Sequence, residues 1–216
     1  MLVTGIKSKP VYAPLQADTR GRYHLMVGMG VGAAPLLRVI CEMQSAAPQS
    51  MQHTRVLFVP DGGAAHAGVR DGTGGGGASD VERFKAAAVA DVSSFADTPA
   101  LLERFKGILE QSLMGTRLYV AGPESFIGLV MKIALGFNLN KDEIRAEECG
   151  TLARRVYCIH CRATTDDVRT NIVRCVGCDR WLLVRDHYSR RLAAYMGVMA
   201  DAEAPGELPP VKEIFL

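Results

Sequence analysis

Four cysteines in two C-x-x-C pairs carry the strongest chemical signal in this chain. Cys158 and Cys161 form the first pair, Cys175 and Cys178 the second, and thirteen residues separate them. Each pair can set two thiolates on one turn, and four thiolates satisfy the tetrahedral preference of zinc or of a single iron. Two disulfides would use the same sulfurs, but a cytosolic chain keeps its thiols reduced. His160 lies inside the first pair, yet four cysteines already close a tetrahedron, so it reads as a neighbour of the metal and not a ligand. The residues between the pairs suit a short two-stranded excursion. Tyr157 and Trp181 flank the module and are placed to screen a metal from water, which influences its potential.

A module this small needs its metal to fold, and the rest of the chain must position it. At 216 residues there is room for one domain of about 150 residues and a small module. Residues 1–150 read as an α/β domain, 151–191 as the metal ribbon and 192–216 as a C-terminal arm. Charge is local: residues 151–191 hold nine Arg against four Asp, although the whole chain carries only +2. Such a surface suits an acidic partner. Nucleic acid is the weaker candidate, because the module lacks the interleaved exposed aromatics of a base-stacking surface. No apolar run is long enough to span a membrane or precedes a cleavage site, so a cytoplasmic chain is expected.

Ahead of the ribbon, strand and helix alternate. Residues 1–22, without sustained periodicity, read as an extended leader or an irregular first strand. His24 to Val27 is a short apolar strand ending in the glycine turn Gly28 to Gly32, and Ala33 to Met43 is a helix with Pro35 in its first turn. Arg55 to Val59 is the next strand, followed by a Gly/Ala-rich loop culminating in Gly74 to Gly77. Ser79 reads as the N-cap of a helix through Ala88, with Glu82 at the capping-box position, and Val89 to Phe95 as a short strand. Asp97 opens a helix to about Leu113 with Leu101, Leu102, Phe105, Ile108 and Leu109 on its core face. Thr116 to Ala121 is a strand ending in Gly122-Pro123-Glu124-Ser125. An amphipathic helix marked by Phe126, Val130, Ile133, Ala134 and Phe137 follows it, then a last strand from Asp142 to Cys149. This order predicts an open parallel Rossmann-like sheet covered by helices on both faces, with ligands at the carboxyl ends of its strands. Gly30, Gly32 and Gly122 fall at that edge. A glycine turn before a helix lets the chain approach a pyrophosphate, to which the helix N-terminus offers free amides. The pattern is G-x-G-x-G and not G-x-G-x-x-G, and a packing turn with no ligand is the alternative.

The run from Met26 to Leu37 with the later Tyr119-Val120-Ala121-Gly122-Pro123-Glu124-Ser125-Phe126 resembles the pyridine-nucleotide half of the ferredoxin-reductase superfamily. That resemblance implicates Gly28, Gly30, Gly32, Ala33, Pro35, Gly122, Pro123 and Glu124 in holding NAD(P)H. Ala121 stands where that family often has Cys, and too few residues precede the glycine turn for its flavin-binding barrel, so flavin is expected on a partner chain. Arg70 is the candidate for a 2′-phosphate contact, and Cys149 ends the last strand at the ligand edge.

The C-terminal series is similar to the dimethylamine monooxygenase small-subunit family. It comprises Cys158-Ile159-His160-Cys161, Cys175-Val176-Gly177-Cys178, the stretch from Val184 to Leu192, Ala194 to Val198 and Pro205-Gly206-Glu207. The resemblance implies a subunit of a multicomponent, haem-dependent oxidative N-demethylase, in which electrons pass from NAD(P)H toward an oxygenase subunit on another chain. Its partners would then be a reductase and a haem oxygenase subunit. Iron and zinc remain alternatives: rubredoxin-type knuckles place Gly after the second Cys of each pair, where Arg162 and Asp179 stand here, and Gly177 comes one residue early.

Overall fold

The computed structural model describes residues 8–60 and 77–216. Arg70 and most of the Gly/Ala-rich loop lie outside the described residues. The described residues divide into two compact units, one starting at residue 12 and ending at 150 and one of 151–216 with residues 8–11.

In the first unit, strands β1 (Tyr23–Met29), β2 (Thr54–Val59), β3 (Asp91–Ser94), β4 (Thr116–Gly122) and β5 (Ile144–Glu148) form a sheet in the order β3-β2-β1-β4-β5. Every pairing is parallel. Helices α1 (Ala33–Ala46), α2 (Gly77–Ala86), α3 (Thr98–Leu109) and α4 (Glu124–Gly136) connect them. Strand side chains alternate between faces, and each face builds its own core. Leu25, Val27, Leu57, Val59, Leu118 and Val120 pack with Leu101 and Phe105 of α3 and Phe126 and Val130 of α4. Met26, Val56, Phe58 and Tyr119 pack with Leu36, Val39 and Ile40 of α1 and Phe84 of α2. The doubly covered parallel sheet expected from the alternation is therefore present.

Several boundaries differ from the sequence reading. β1 continues through Gly28 and Met29, so the turn is only Gly30–Gly32, one 3-10 turn. α2 begins at Gly77, which puts Ser79 inside the helix instead of at its cap. α3 ends at Leu109 and leaves Leu113 60% exposed, although Asp97 caps it as expected by accepting a hydrogen bond from the Ala100 amide. The leader carries no regular element between residues 8 and 22, but it is tied down. The Leu15 and Ala17 amides donate to Glu147 and Glu42, and Asp18 is buried against Arg20, Arg117 and Arg145.

The second unit is a five-stranded sheet in the order β7-β6-β10-β9-β8, built from β6 (Arg154–Cys158), β7 (Thr164–Val168), β8 (Ile172–Arg174), β9 (Trp181–Ser189) and β10 (Ala194–Met199). Between the cysteine pairs there are indeed two strands, β7 and β8, but they do not pair with each other. They lie at opposite edges of the sheet, because each folds back on the strand beside its own knuckle. β10 is the central strand, parallel to β6 and antiparallel to β9, so the segment from 194 belongs to the metal unit's sheet and not to an arm.

The rest of the C-terminus is laid along the same unit. Lys212 and Asn171 exchange hydrogen bonds, Thr170 bridges Glu213, and the Ile214 and Phe215 amides donate to the Arg169 carbonyl. Phe215 is buried, and the Arg154 guanidinium lies 3.8 Å from its ring centroid and 4.0 Å from that of Tyr195. Asp186 pairs with the same guanidinium at 2.7 Å. A cation held between two rings gains cation–π energy on both sides, and Asp186 offsets the cost of burying its charge.

Candidate metal centre and nucleotide edge

Each C-x-x-C pair sits where a strand turns back. In the first knuckle the Cys158 amide donates to the Ala163 carbonyl and the Arg162 amide to the Cys158 carbonyl. The second repeats this: Cys175 donates to Arg180 and Asp179 to Cys175. Such a turn needs a left-handed residue after its second cysteine, and Arg162 (φ +68°) and Asp179 (φ +58°) adopt it without being glycine. The left-handed turn expected of a Gly after the second cysteine is therefore made here by Arg162 and Asp179. Gly177 has another purpose: a Cβ there would lie 2.6 Å from Ala163 Cβ and 3.0 Å from Cys161 Sγ, so its missing side chain lets the knuckles meet.

The four sulfurs lie within 4.8 Å of one another, with Cys158–Cys178 at 3.8 Å and Cys161–Cys175 at 3.4 Å. A tetrahedron with metal–sulfur bonds of about 2.3 Å has edges of about 3.8 Å, so the set fits zinc or a single iron. The same fit shows in the thiols. Cys178 is held down at about 6 by the Arg180 amide and guanidinium. At Cys161 the Ala163 amide also favours the thiolate, but partial desolvation by its neighbours and hydrogen bonds with the three other sulfurs outweigh it and push the thiol up to about 12. Four thiolates this close repel, and a divalent cation is what allows all of them to ionise. Cys158 and Cys175 are buried, Cys178 is half-buried and Cys161 is exposed, so the cluster has one open side. His160 is exposed, its Nδ1 3.7 Å from Cys158 Sγ, beside the tetrahedron as expected. Trp181 is half-buried and stacks under Arg174, 5.2 Å from the ring centroid. Arg180 was not singled out in the sequence; its position two residues after the second Cys is the signal, matching Ala163 in the first knuckle.

In the α/β unit the two glycine motifs meet at the carboxyl edge of β1 and β4. A Cβ on Gly32 would lie 2.3 Å from the Ala121 carbonyl oxygen and 3.1 Å from the Gly122 nitrogen, and one on Gly28 would lie 2.6 Å from Leu36 Cδ1. Gly28 and Gly32 are thus required by the seating of α1 on the sheet. Gly30 alone in the turn needs a left-handed backbone, at φ +54°. Ala33 and Pro35 occupy the first turn of α1 and are buried. Pro123 is the N-cap of α4, and Glu124 follows it, 4% exposed, where a helix N-terminus favours a carboxylate. Cys149 donates its amide to the Gly122 carbonyl at 2.9 Å and is half-buried just beyond β5.

A doubly covered parallel sheet and a second sheet that ends in a four-cysteine cluster able to hold a metal ion, on one chain, define a two-unit protein with a candidate metal centre. The chain belongs to the dimethylamine monooxygenase subunit DmmA-like family: the family's N-terminal domain matches residues 4–144 and its C-terminal domain residues 155–198. A curated relative, the "Heme-dependent oxidative N-demethylase delta subunit" of Ectopseudomonas mendocina (strain ymp), is 34% identical over 118 residues, 55% of this chain and 66% of the relative. Among solved structures, the ferredoxin reductase in carbazole 1,9a-dioxygenase matches 62% of this chain and 34% of its own, with 15% identity and a TM-score of 0.41. An Amycolatopsis cytochrome P450 reductase matches 61% of this chain and 38% of its own, with 17% identity and a TM-score of 0.38. The chain thus spans about a third of those reductases.

Proposed function

We propose that this chain is the electron-transfer subunit of a multicomponent oxidative N-demethylase acting on dimethylamine. Electrons derived from NAD(P)H would pass through its four-cysteine centre toward a haem oxygenase subunit on another chain. The observation that carries the proposal is a tetrahedral four-sulfur cluster with one exposed ligand, Cys161, in a chain of this family. An iron bound there would supply a one-electron couple near the surface, whereas a zinc would only brace the sheet.

The residues of the chain do the remaining work. Cys158, Cys161, Cys175 and Cys178 supply the thiolates. The amides of Ala163 and Arg180, with the Arg180 guanidinium, donate toward sulfur and stabilise its negative charge. In the α/β unit, the turn from Gly30 through Gly32 and Ala33 is assigned to the pyrophosphate of a pyridine nucleotide, and Gly122, Pro123 and Glu124 to its nicotinamide end. Gly28 and Pro35 act there by seating the helix. Flavin is assigned to a partner reductase chain.

Metal analysis of anaerobically purified protein, with its visible spectrum before and after reduction, tests the reading. About one iron per chain with a reducible thiolate-to-iron band is the expected result. Stoichiometric zinc from iron-replete cells, without a visible band, would overturn it and leave an assembly or regulatory subunit with a structural zinc.

A further inference from the structure

The residue after the first cysteine of each knuckle is apolar and bare. Ile159 is 46% exposed and Val176 71%, one in each C-x-x-C turn. Neither turn requires them: the knuckle is closed by backbone hydrogen bonds and by the sulfurs, so a polar residue at either position would leave it intact and better solvated. Between them Gly177 has no side chain, and Cys161 is exposed.

Charge around these tips is unbalanced. All four Asp of the ribbon are already paired: Asp166 with Arg155, Asp167 with Arg169, Asp179 with Arg174 and Asp186 with Arg154. Arg162 and Arg180, the two arginines that follow the knuckles' second cysteines, have no carboxylate partner among the described residues, and Arg180 leans on the Cys178 thiol. Two apolar tips beside two cations without carboxylates make a small patch that an acidic-rimmed, apolar-centred surface would complement. Nucleic acid fits less well, since His160 is a single exposed ring at the tips and Trp181 is taken by Arg174.

We infer that the knuckle tips, Ile159 and Val176 with Arg162 and Arg180, are the docking face for the haem-bearing subunit of the proposed assembly, whose contact surface would be apolar at its centre and rimmed by carboxylates. This rests on the proposed function for the identity of the partner. Docking there would bring the partner against the exposed sulfur of Cys161 and exclude water from it.

The experiment measures binding of the full chain, loaded with zinc, to the immobilised haem-bearing subunit of the N-demethylase. Zinc makes the readout independent of electron transfer, so a native protein that proves to hold zinc ends the electron-carrier reading without touching this result. The double substitution Ile159→Glu and Val176→Glu should weaken binding about tenfold or more, as for central interface residues. Arg162→Glu should weaken it several-fold and flatten its salt dependence. Met114→Glu, at a 97% exposed position of the other unit, should change nothing. Zinc content of one per chain confirms that each knuckle variant is folded, and Ile159→Ser with Val176→Ser replaces the Glu pair if that variant loses its metal. Wild-type binding by either folded tip variant, absence of binding by the wild-type chain, or displacement of the subunit by RNA would each overturn the inference.

Discussion

Alanine at Gly32 separates a packing role from a ligand role for the glycine turn. Its Cβ would lie 2.3 Å from the Ala121 carbonyl oxygen and 2.6 Å from that carbonyl carbon. Both are backbone atoms of β4, hydrogen-bonded on each side to β1 and β5, so neither can swing away as a side-chain end would. Relief requires α1 to lift from the sheet, loosening Leu36, Val39 and Ile40, all buried. Overpacking of this kind costs about 2–3 kcal/mol, which in a unit of this size lowers Tm by roughly 6–10 °C. Two companion substitutions calibrate the effect. Gly28→Ala meets Leu36 Cδ1 at 2.6 Å, the end of a flexible side chain, and should cost about 1 kcal/mol. Gly107→Ala, inside α3 with nothing within 4 Å, should stabilise by about 0.5–1 kcal/mol. Thermal unfolding followed by circular dichroism in the absence of nucleotide reads all three. If Gly32→Ala melts with the wild type, α1 is not seated on β4 as described and the packing argument fails.

Further expectations concern buried groups. Phe215→Ala removes a buried ring and one side of the Arg154 stack, and should destabilise the metal-bearing unit by about 3 kcal/mol in denaturant titrations of the metal-loaded protein; a loss below about 1 kcal/mol would mean that the tail is not docked. Asp18 is held well below the usual carboxylate range by the Arg20 hydrogen bond and then by Arg145, against the cost of burial. Its stabilisation is complete above the ordinary carboxylate pKa and is lost only as pH falls through the much lower folded value. Asp18→Asn should therefore cost about 3 kcal/mol, and the gap should stay constant from pH 8 to 5. Burial lowers the pKa of His24, so the unfolded chain binds a proton that the folded one refuses. Stability should then be complete above about pH 6.5 and fall as pH drops below it, and His24→Gln should flatten that slope in a Tm series.

The four-sulfur cluster and the α/β alternation were legible in the sequence because both follow from local spacing. Two C-x-x-C pairs each set two sulfurs on one turn, and strand-glycine-helix periodicity fixes which face of each element meets the sheet. The N-terminal edge of α3 was equally plain, since Asp97 caps it within four residues. What sequence could not supply is contact between distant segments. Gly177 looked misplaced because its partner, Ala163, lies fourteen residues away, and Arg162 and Asp179 looked wrong for a knuckle because a left-handed backbone is open to more than glycine. Gly28 and Gly32 carried the aspect of a phosphate turn, yet their missing side chains are accounted for by Leu36 and Ala121 across the helix–strand junction. The segment from Ala194 and the tail at Phe215 read as an arm because two of their hydrogen-bond partners, β6 and Arg169, are remote in sequence. Residue types determined which chemistry the chain can host; only the tertiary structure decided which glycines seat a helix, which strand is central and which side of the cluster faces out, because steric exclusion and sheet pairing act between residues that sequence keeps apart.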